Sequence, residues 1–365
     1  DEGIILEPTT LDFESYGVQT CALPISIKDE GIILEPTTLD FESYGVFNPA
    51  CIRANGIVHM FYRAVKAGNS SCIGYCQLQE NKVILRLDTP VLFPEYEYEK
   101  QGVEDPRITY VDGVYYLFYT AYDGNNARVA YATSTDLVTF KKHGPISPDL
   151  SYHDALLRIE KSLRPPSRYF EYAQQVMRYN GSDVAVWDKD AFIFPKKING
   201  QFVLIHRIMP SIQVAFFKSF EDLGMEYWAA YFDAFSDAEL LNPAYAFENR
   251  YIGGGCPPIE TSEGWLLIYH GVQRTESTII YSAGAALLDL ENPKKIIGRL
   301  PYPLFSPMAE WEKRGNVDNV VFPTGAIIED SRLYIYYGAA DTRIACKSLE
   351  LQELIAELKA NPPLL

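Results

Sequence analysis

Three charged side chains fall within four residues at Glu104-Asp105-Pro106-Arg107, shortly before the apolar run Val114-Tyr115-Tyr116-Leu117-Phe118-Tyr119. Two neighbouring carboxyl groups on a backbone fixed by proline have the chemistry of general acid–base work. Burying that many charges beside an aromatic strand is costly unless the groups are used. The competing account, a carboxylate that only caps a turn, fits Asp112 and Asp330, which stand in turn positions.

The element that positions the cluster recurs. Five segments read as proline, strand, polar turn, and a second strand ending in an aromatic or histidine. They start at Phe47-Asn48-Pro49, Glu104-Asp105-Pro106, Asp190-Ala191-Phe192, Cys256-Pro257-Pro258 and Val321-Phe322-Pro323. The turns are Asn55-Gly56, Asp112-Gly113, Asn199-Gly200, Glu263-Gly264 and Asp330-Ser331, and the anchors ending the second strands are Tyr62, Tyr119, His206, Tyr269 and Tyr336. Short antiparallel sheets with apolar faces bury themselves by stacking around an axis, so the expected fold is all-β, a five-bladed β-propeller. Equivalent positions in the blades would then bring Asn48, Asp105, Asp190, Glu260 and Asp341 to one central pocket, with His206 and His270 also facing it. Two stretches break the pattern: a helical insertion at about 151–178, interrupted by Pro165-Pro166, and a C-terminal helix over Leu349–Ala360.

Residues 1–18 repeat word for word as residues 29–46, which no diverging structural repeat would do. Residues 1–28 are therefore read as an assembly scar and residues 29–365 as one catalytic domain. Five acids and one lysine lie in that segment, so the net charge of −16 becomes −12 for the remainder, which argues against nucleic acid or an anionic membrane as partner. Tyr, Phe and Trp make up 13% of the chain, a surplus that suits carbohydrate stacking. Cys51, Cys72, Cys76, Cys256 and Cys346 show no paired spacing and the histidines no metal-ligand spacing, so neither metal nor cofactor is expected. Gly253-Gly254-Gly255 precedes a proline-rich strand and lacks the lysine of a phosphate loop. A homo-oligomer is compatible with this reading, and the bacterial cytoplasm is favoured slightly over the periplasm.

Several ordered motifs together resemble glycoside hydrolase family 130: Phe47-Asn48-Pro49-Ala50, Tyr62-Arg63-Ala64, Gly102 to Arg107, Lys189-Asp190-Ala191, Leu204-Ile205-His206-Arg207, Gly254 to Thr261, Gly264 to Gly271, Phe322-Pro323-Thr324-Gly325 and Tyr337 to Thr342. The resemblance implies a five-bladed propeller and an inverting phosphorylase or hydrolase of β-mannosides. It makes Asp105 the general acid, acting through the mannose 3-hydroxyl, and puts Asn48, Arg63 and Asp341 where mannose is bound. Lys189, Arg207 and His270 fall in motifs that hold phosphate or the neighbouring sugar. Glu104, Arg107 and Asp190 complete the expected substrate-binding set.

The departure is Glu260, where phosphorylases of the family usually carry lysine. A carboxylate there repels phosphate and could take a proton from water, unless it only pairs with Arg207. The expectation is an inverting hydrolase of β-1,2-linked manno-oligosaccharides, with Asp105 as acid and Glu260 as base. The alternatives are a phosphorylase that uses inorganic phosphate as co-substrate and releases mannose 1-phosphate, and a non-catalytic sugar-binding propeller.

Overall fold

A computed structural model describes residues 25–161 and 167–363. Strand β1 (Ile27–Leu34) comes first. A first unit follows, of β2 (Gly45–Ala54), β3 (Ile57–Val65), β4 (Ser71–Gln79) and β5 (Lys82–Arg86), and a second of β6 (Gly102–Val111), β7 (Val114–Tyr122), β8 (Ala127–Ser134) and β9 (Lys141–Pro145). Helices α1 (Tyr152–Ile159) and α2 (Ser167–Asn180) precede a third unit. It holds β10 (Lys189–Ile193), β11 (Phe202–Arg207) and β12 (Ile212–Phe217), then helices α3 (Met225–Asp233) and α4 (Phe235–Ala238), then β13 (Glu239–Leu241). The fourth unit contains β14 (Tyr251–Gly254), β15 (Ile259–Thr261), β16 (Gly264–Arg274), β17 (Ile279–Leu288) and β18 (Ile296–Arg299). After α5 (Glu310–Lys313), the fifth has β19 (Val321–Glu329), β20 (Arg332–Ala339) and β21 (Arg343–Glu350), and α6 (Leu351–Ala360) ends the described elements.

Each unit is an antiparallel meander. The first two are joined into one sheet by the single parallel pairing of Ser71 with Gly102. The fifth is completed by β1, whose Ile27 and Lys28 pair with Leu349 and Ser348. Ordered structure thus includes Ile27 and Lys28, inside the segment read as a scar; residues 1–24 lie outside the described residues, as do Pro165 and Pro166.

Local chemistry accounts for the hairpins. Asn55-Gly56, Asp112-Gly113 and Asn199-Gly200 all have positive φ at both positions, the turn that matches strand twist and that these residues tolerate. The first strand of each of these hairpins also carries one extra residue. The register breaks between Phe47 and Ala50, Glu104 and Arg107, and Lys189 and Phe192, while the partner strand advances by two. Within these three bulges Asn48, Asp105 and Asp190 take φ of 50°, 50° and 54°. Asn and Asp bear that conformation better than other side chains, and a bulge re-aims the side chain it carries.

A second device recurs at the second strands. A buried glutamate from a short helical turn meets a tyrosine and a cation. Glu42 takes Tyr62 (2.7 Å) and Arg86 (2.9 Å), and Glu99 takes Tyr119 (3.1 Å) and Lys142. Glu248 takes Tyr269 (2.6 Å) and Arg299 (2.8 Å), and Glu312 takes Tyr337 (2.6 Å) and Lys347 (3.0 Å). The third unit substitutes His206, which bonds Asp188 (2.9 Å) and Tyr231 of α3 (2.8 Å). Two expectations are corrected here. His206 belongs to this buried clamp and not to a pocket, and the fifth anchor is Tyr337, one residue beyond Tyr336.

The insertion forms α1 and α2, which pack with α3 and α4 through Tyr152, Ala155, Tyr169, Phe232 and Phe235. Helix α6 buries Leu354, Ile355 and Leu358 against the fourth and fifth units. Removing one partner of a fully buried clamp strands the other charge. Glu248→Ala should therefore lose about 3–5 kcal/mol in urea unfolding, because Arg299 is left buried and unpaired, while Tyr269→Phe should lose about 1–2 kcal/mol.

Candidate active site

The three bulged residues and Asp341, which turns between β20 and β21 at φ 49°, line one cavity of about 270 Å³ with Arg63, Lys189 and Arg207. Its walls include Tyr152, Trp187, Tyr251, Tyr281 and Phe322. Side chains up to 293 positions apart in sequence thus converge because four units each contribute a residue from the same end.

Asp105 is held by two side chains. Its Oδ1 accepts from Asn48 Nδ2 (2.9 Å) and lies 3.4 Å from Arg63 Nη1. Burial alone would raise its pKa, but the charges of Arg63, Lys189 and Arg107 and the Asn48 hydrogen bond outweigh that and hold it below the usual carboxylate range. Asp341 goes the other way. Burial, helped by the negative charge of Asp105 and Glu104 and opposed by Arg63, pushes it up to about 6. Two of the three carboxyl groups lining this cavity thus differ in their hold on a proton, which is the pattern of divided acid and base roles.

Glu104, Arg107 and His270 lie behind the cavity wall. Glu104 joins Arg63 (2.8 Å) to Lys189 (3.4 Å). Arg107 is fully buried and binds the backbone carbonyls of Asp105 (2.9 Å), Gly254 (3.3 Å) and Gly255, with Asp190 Oδ1 at 3.6 Å. These two hold lining groups in place and do not themselves line the cavity. The same correction applies to His270. It is fully buried behind Gly253, 3.9 Å from Asp190 Oδ2, and burial drives its pKa down to about 3, so it is neutral and no anchor for an anion. Gly253 is required here, since any Cβ would collide with both His270 and Asp190. Asp190 faces Arg207 at 3.0 Å, and the Arg207 guanidinium lies 5.3 Å from the Tyr251 ring centre.

Glu260 is not brought to this cavity. It sits on β15, opposite Trp265 and next to the hairpin turn, with its side chain 46% exposed and paired with Lys196. The cavity end of the fourth unit is set by Gly253, which pairs with His270. His270 and Trp265 stand five positions apart on β16, roughly 16 Å of strand. That exceeds the span of about 6.5–9.5 Å between acid and base in an inverting hydrolase. The expected pairing of Asp105 with Glu260 is therefore corrected. The interruption at Gly255-Cys256-Pro257-Pro258 splits the inner strand in two, so Pro258 is not the counterpart of Pro106. Nor does Glu260 pair with Arg207.

The aromatic wall was not singled out from the sequence. Trp187 stands two residues before Lys189 and Tyr251 two before Gly253, so the signal available was proximity to motifs already recognised. Tyr251 and Tyr281 join by their hydroxyls at 2.6 Å. Among the described residues no cluster of His, Cys, Asp and Glu could hold a metal ion.

Comparison with known proteins adds context. A family model described as β-1,4-mannooligosaccharide phosphorylase matches residues 41–360. A 1,2-β-oligomannan phosphorylase of Thermoanaerobacter sp. (strain X514) is 34% identical over 320 residues, covering 85% of this chain and 91% of the relative. A β-1,2-mannobiose phosphorylase of the same organism is 33% identical over 326 residues, with the same coverage. Among solved structures, β-1,2-mannobiose phosphorylase from Listeria innocua in complex with β-1,2-mannobiose has the same fold at TM-score 0.68 and 24% identity, covering 91% of this chain and 97% of that one.

Two outcomes follow from the placement of these carboxylates. Glu260→Gln should leave turnover within about two-fold of wild type, as a surface substitution away from the site. Asp341, raised from 3.8 to about 6, makes no contribution below about pH 4, where folded and unfolded forms are both protonated; from there to pH 6 the folded state keeps a proton that the unfolded state releases, so stability falls as pH rises. Asp341→Asn should accordingly be more stable relative to wild type at pH 7.5 than at pH 4, by about 1–3 kcal/mol in denaturant titrations.

Proposed function

The chain belongs to glycoside hydrolase family 130, and on that premise we propose that it is an inverting β-mannoside phosphorylase acting on β-1,2-linked manno-oligosaccharides. The observation that carries this reading is the pair Lys189 and Arg207, directly opposite each other on β10 and β11 and facing the same cavity as Asp105, while Glu260 lies outside it. Two fixed cations suit a phosphate dianion, and the carboxylate expected to repel it is elsewhere. The relatives named as phosphorylases of β-1,2-mannosides support the substrate class. No cofactor is needed beyond phosphate itself. We further read the five meanders as blades of one five-bladed propeller, with β1, from Ile27, closing the last blade.

In this reading a phosphate oxygen attacks the anomeric carbon of the terminal mannosyl group from the face opposite the glycosidic oxygen. That bond breaks, and α-mannose 1-phosphate forms with a single inversion. The leaving oxygen takes a proton originating on Asp105, relayed through the mannose 3-hydroxyl as the family resemblance implies. Asn48, Arg63 and Asp341 hold the mannosyl group. The low pKa of Asp105 rests on the charges of Arg63, Lys189 and Arg107. Phosphate bound to Lys189 and Arg207 adds negative charge beside Asp105 and raises its hold on a proton, so the acid becomes loaded when both substrates are present.

A hydrolytic reading keeps one observation in its favour, since Asp341 is a cavity carboxylate with a pKa of about 6, suited to accept a proton from water. A product assay on β-1,2-mannobiose separates the two. Phosphorolysis predicts mannose 1-phosphate formed only with phosphate present, and free mannose from both sugar units in phosphate-free buffer would overturn it. Asp105→Asn should lower kcat about 10²–10⁴-fold with folding retained. Lys189→Ala should raise KM for phosphate at least about ten-fold and KM for mannobiose much less, as loss of one charged hydrogen bond implies.

A further inference from the structure

A second cavity, of about 590 Å³, opens beside the first and shares Arg63, Val317 and Asp341 with it. Lys189 and Arg207 line only the first, so the second lies on the Arg63–Asp341 side, away from the cations assigned to phosphate. Its remaining wall carries the ring of Tyr44, half exposed, the amides of Asn69 and Asn316, and small residues at Ala67 and Gly68. Among the described residues, Arg63 and Asp341 are its sole charged lining groups. An accessible aromatic face beside neutral amide groups is the lining that suits a sugar: the ring covers the apolar face of a pyranose, and the Asn69 amide and the carboxamide oxygen of Asn316 are there for its hydroxyls. The wall is also fixed to the reacting centre, because Asn316 Nδ2 donates to the carbonyls of Tyr44 (3.1 Å) and Asp341 (3.0 Å).

Single inversion adds a direction. Nucleophile and leaving group lie on opposite faces of the anomeric carbon, so a phosphate held by Lys189 and Arg207 sends the departing oxygen towards the other side of the mannosyl group. We propose that the second cavity receives the leaving β-mannosyl chain, with Tyr44 as the platform for sugar units beyond the first one after the scissile bond. The inference rests on the phosphorylase reading for its direction, and it makes the enzyme one that favours chains longer than a disaccharide. The first cavity, at about 270 Å³, is less than half the size of its neighbour, which is the space an oligosaccharide uses and a disaccharide leaves mostly empty.

The test uses the full chain, with wild type, Tyr44→Ala and Tyr44→Phe compared on β-1,2-linked mannobiose and mannotetraose. Binding is measured by calorimetry without phosphate, and kcat/KM with it. Wild type should prefer the tetraose. Tyr44→Ala should lose about ten-fold in affinity and kcat/KM on the tetraose, the worth of one stacked ring, and less than about two-fold on the biose. Tyr44→Phe, which keeps the ring, should behave as wild type. Equal affinity of wild type for the two sugars, or equal losses on both in Tyr44→Ala, overturns the proposal. A chain-length preference lost in Tyr44→Ala, with no mannose 1-phosphate formed, upholds the subsite and refutes the phosphorylase reading instead.

Discussion

A guanidinium with no access to water holds the active centre together. Arg107 spends its donors on the carbonyls of Asp105, Pro106, Gly254 and Gly255 and lies against Asp190 and the ring of Phe322, so one side chain of the second unit touches the third, fourth and fifth. Removing such a charge from water is expensive, and burial lowers its pKa accordingly. The fork geometry of arginine lets several carbonyls and one carboxylate share the charge, which a lysine could not match. The bulge at Asp105 depends on this arrangement, since the carbonyls of the bulge itself are among the acceptors.

The tyrosine–glutamate–cation clamps hold the other level of the structure. They fix each second strand to the turn that precedes its unit, and each satisfies its buried carboxylate by both a hydroxyl and a charge. In the third unit the clamp reaches through His206 to Tyr231, and Trp228 donates to the carbonyl of Ile146, so the inserted helices are tied to the sheet by polar contacts as well as packing. This is how Tyr152 of α1 comes to wall the cavity without belonging to any of the five meanders.

What the sequence revealed and what it hid divide along the range of the interaction. Asn-Gly and Asp-Gly turns, and Asn or Asp at the head of a strand, answer requirements of their own backbone, so they could be read locally and they brought Asn48, Asp105 and Asp190 together correctly. Glu260 could not be read that way. Its place depends on where β15 pairs along β16, and Pro257-Pro258 imitates the proline of the other hairpins while the strand before it, β14, carries the cavity end. The Tyr336 anchor slipped by one residue because Pro323 stands seven positions before its turn at Asp330, where Pro49 and Pro106 stand six before theirs, and in a strand one residue reverses the face. Helices α3 and α4 were missed because Gly224 offers no side-chain cap and the aromatic run that follows has the composition of a buried strand. The clamps left a faint trace, with glutamate 20 or 21 residues before tyrosine in the first, second and fourth units and 25 in the fifth.

Charge balance then links architecture to chemistry. Glu104, Asp105, Asp190 and Asp341 face Arg63, Arg107, Lys189 and Arg207, four acids against four bases in and behind one cavity. Arg107 and Arg207 are both engaged by Asp190, and Arg63 and Lys189 by Glu104, so every one of these cations is engaged, while Asp341 feels the charge of Arg63 only at longer range. With Asp341 near its midpoint at pH 6 and Asp105 held ionised, the protein groups of the site sum close to neutral. An incoming dianion upsets that neutrality by two charges in a desolvated space, and the least costly response is to take up protons at the carboxyl groups nearest the reacting bond. Neutral His270 behind Asp190 cannot supply the compensation, since burial keeps it from charging. Under the phosphorolysis proposed above, a cavity balanced in this way would couple phosphate arrival to protonation of Asp105, and it needs the bulges to aim those carboxylates inward for the coupling to reach the substrate.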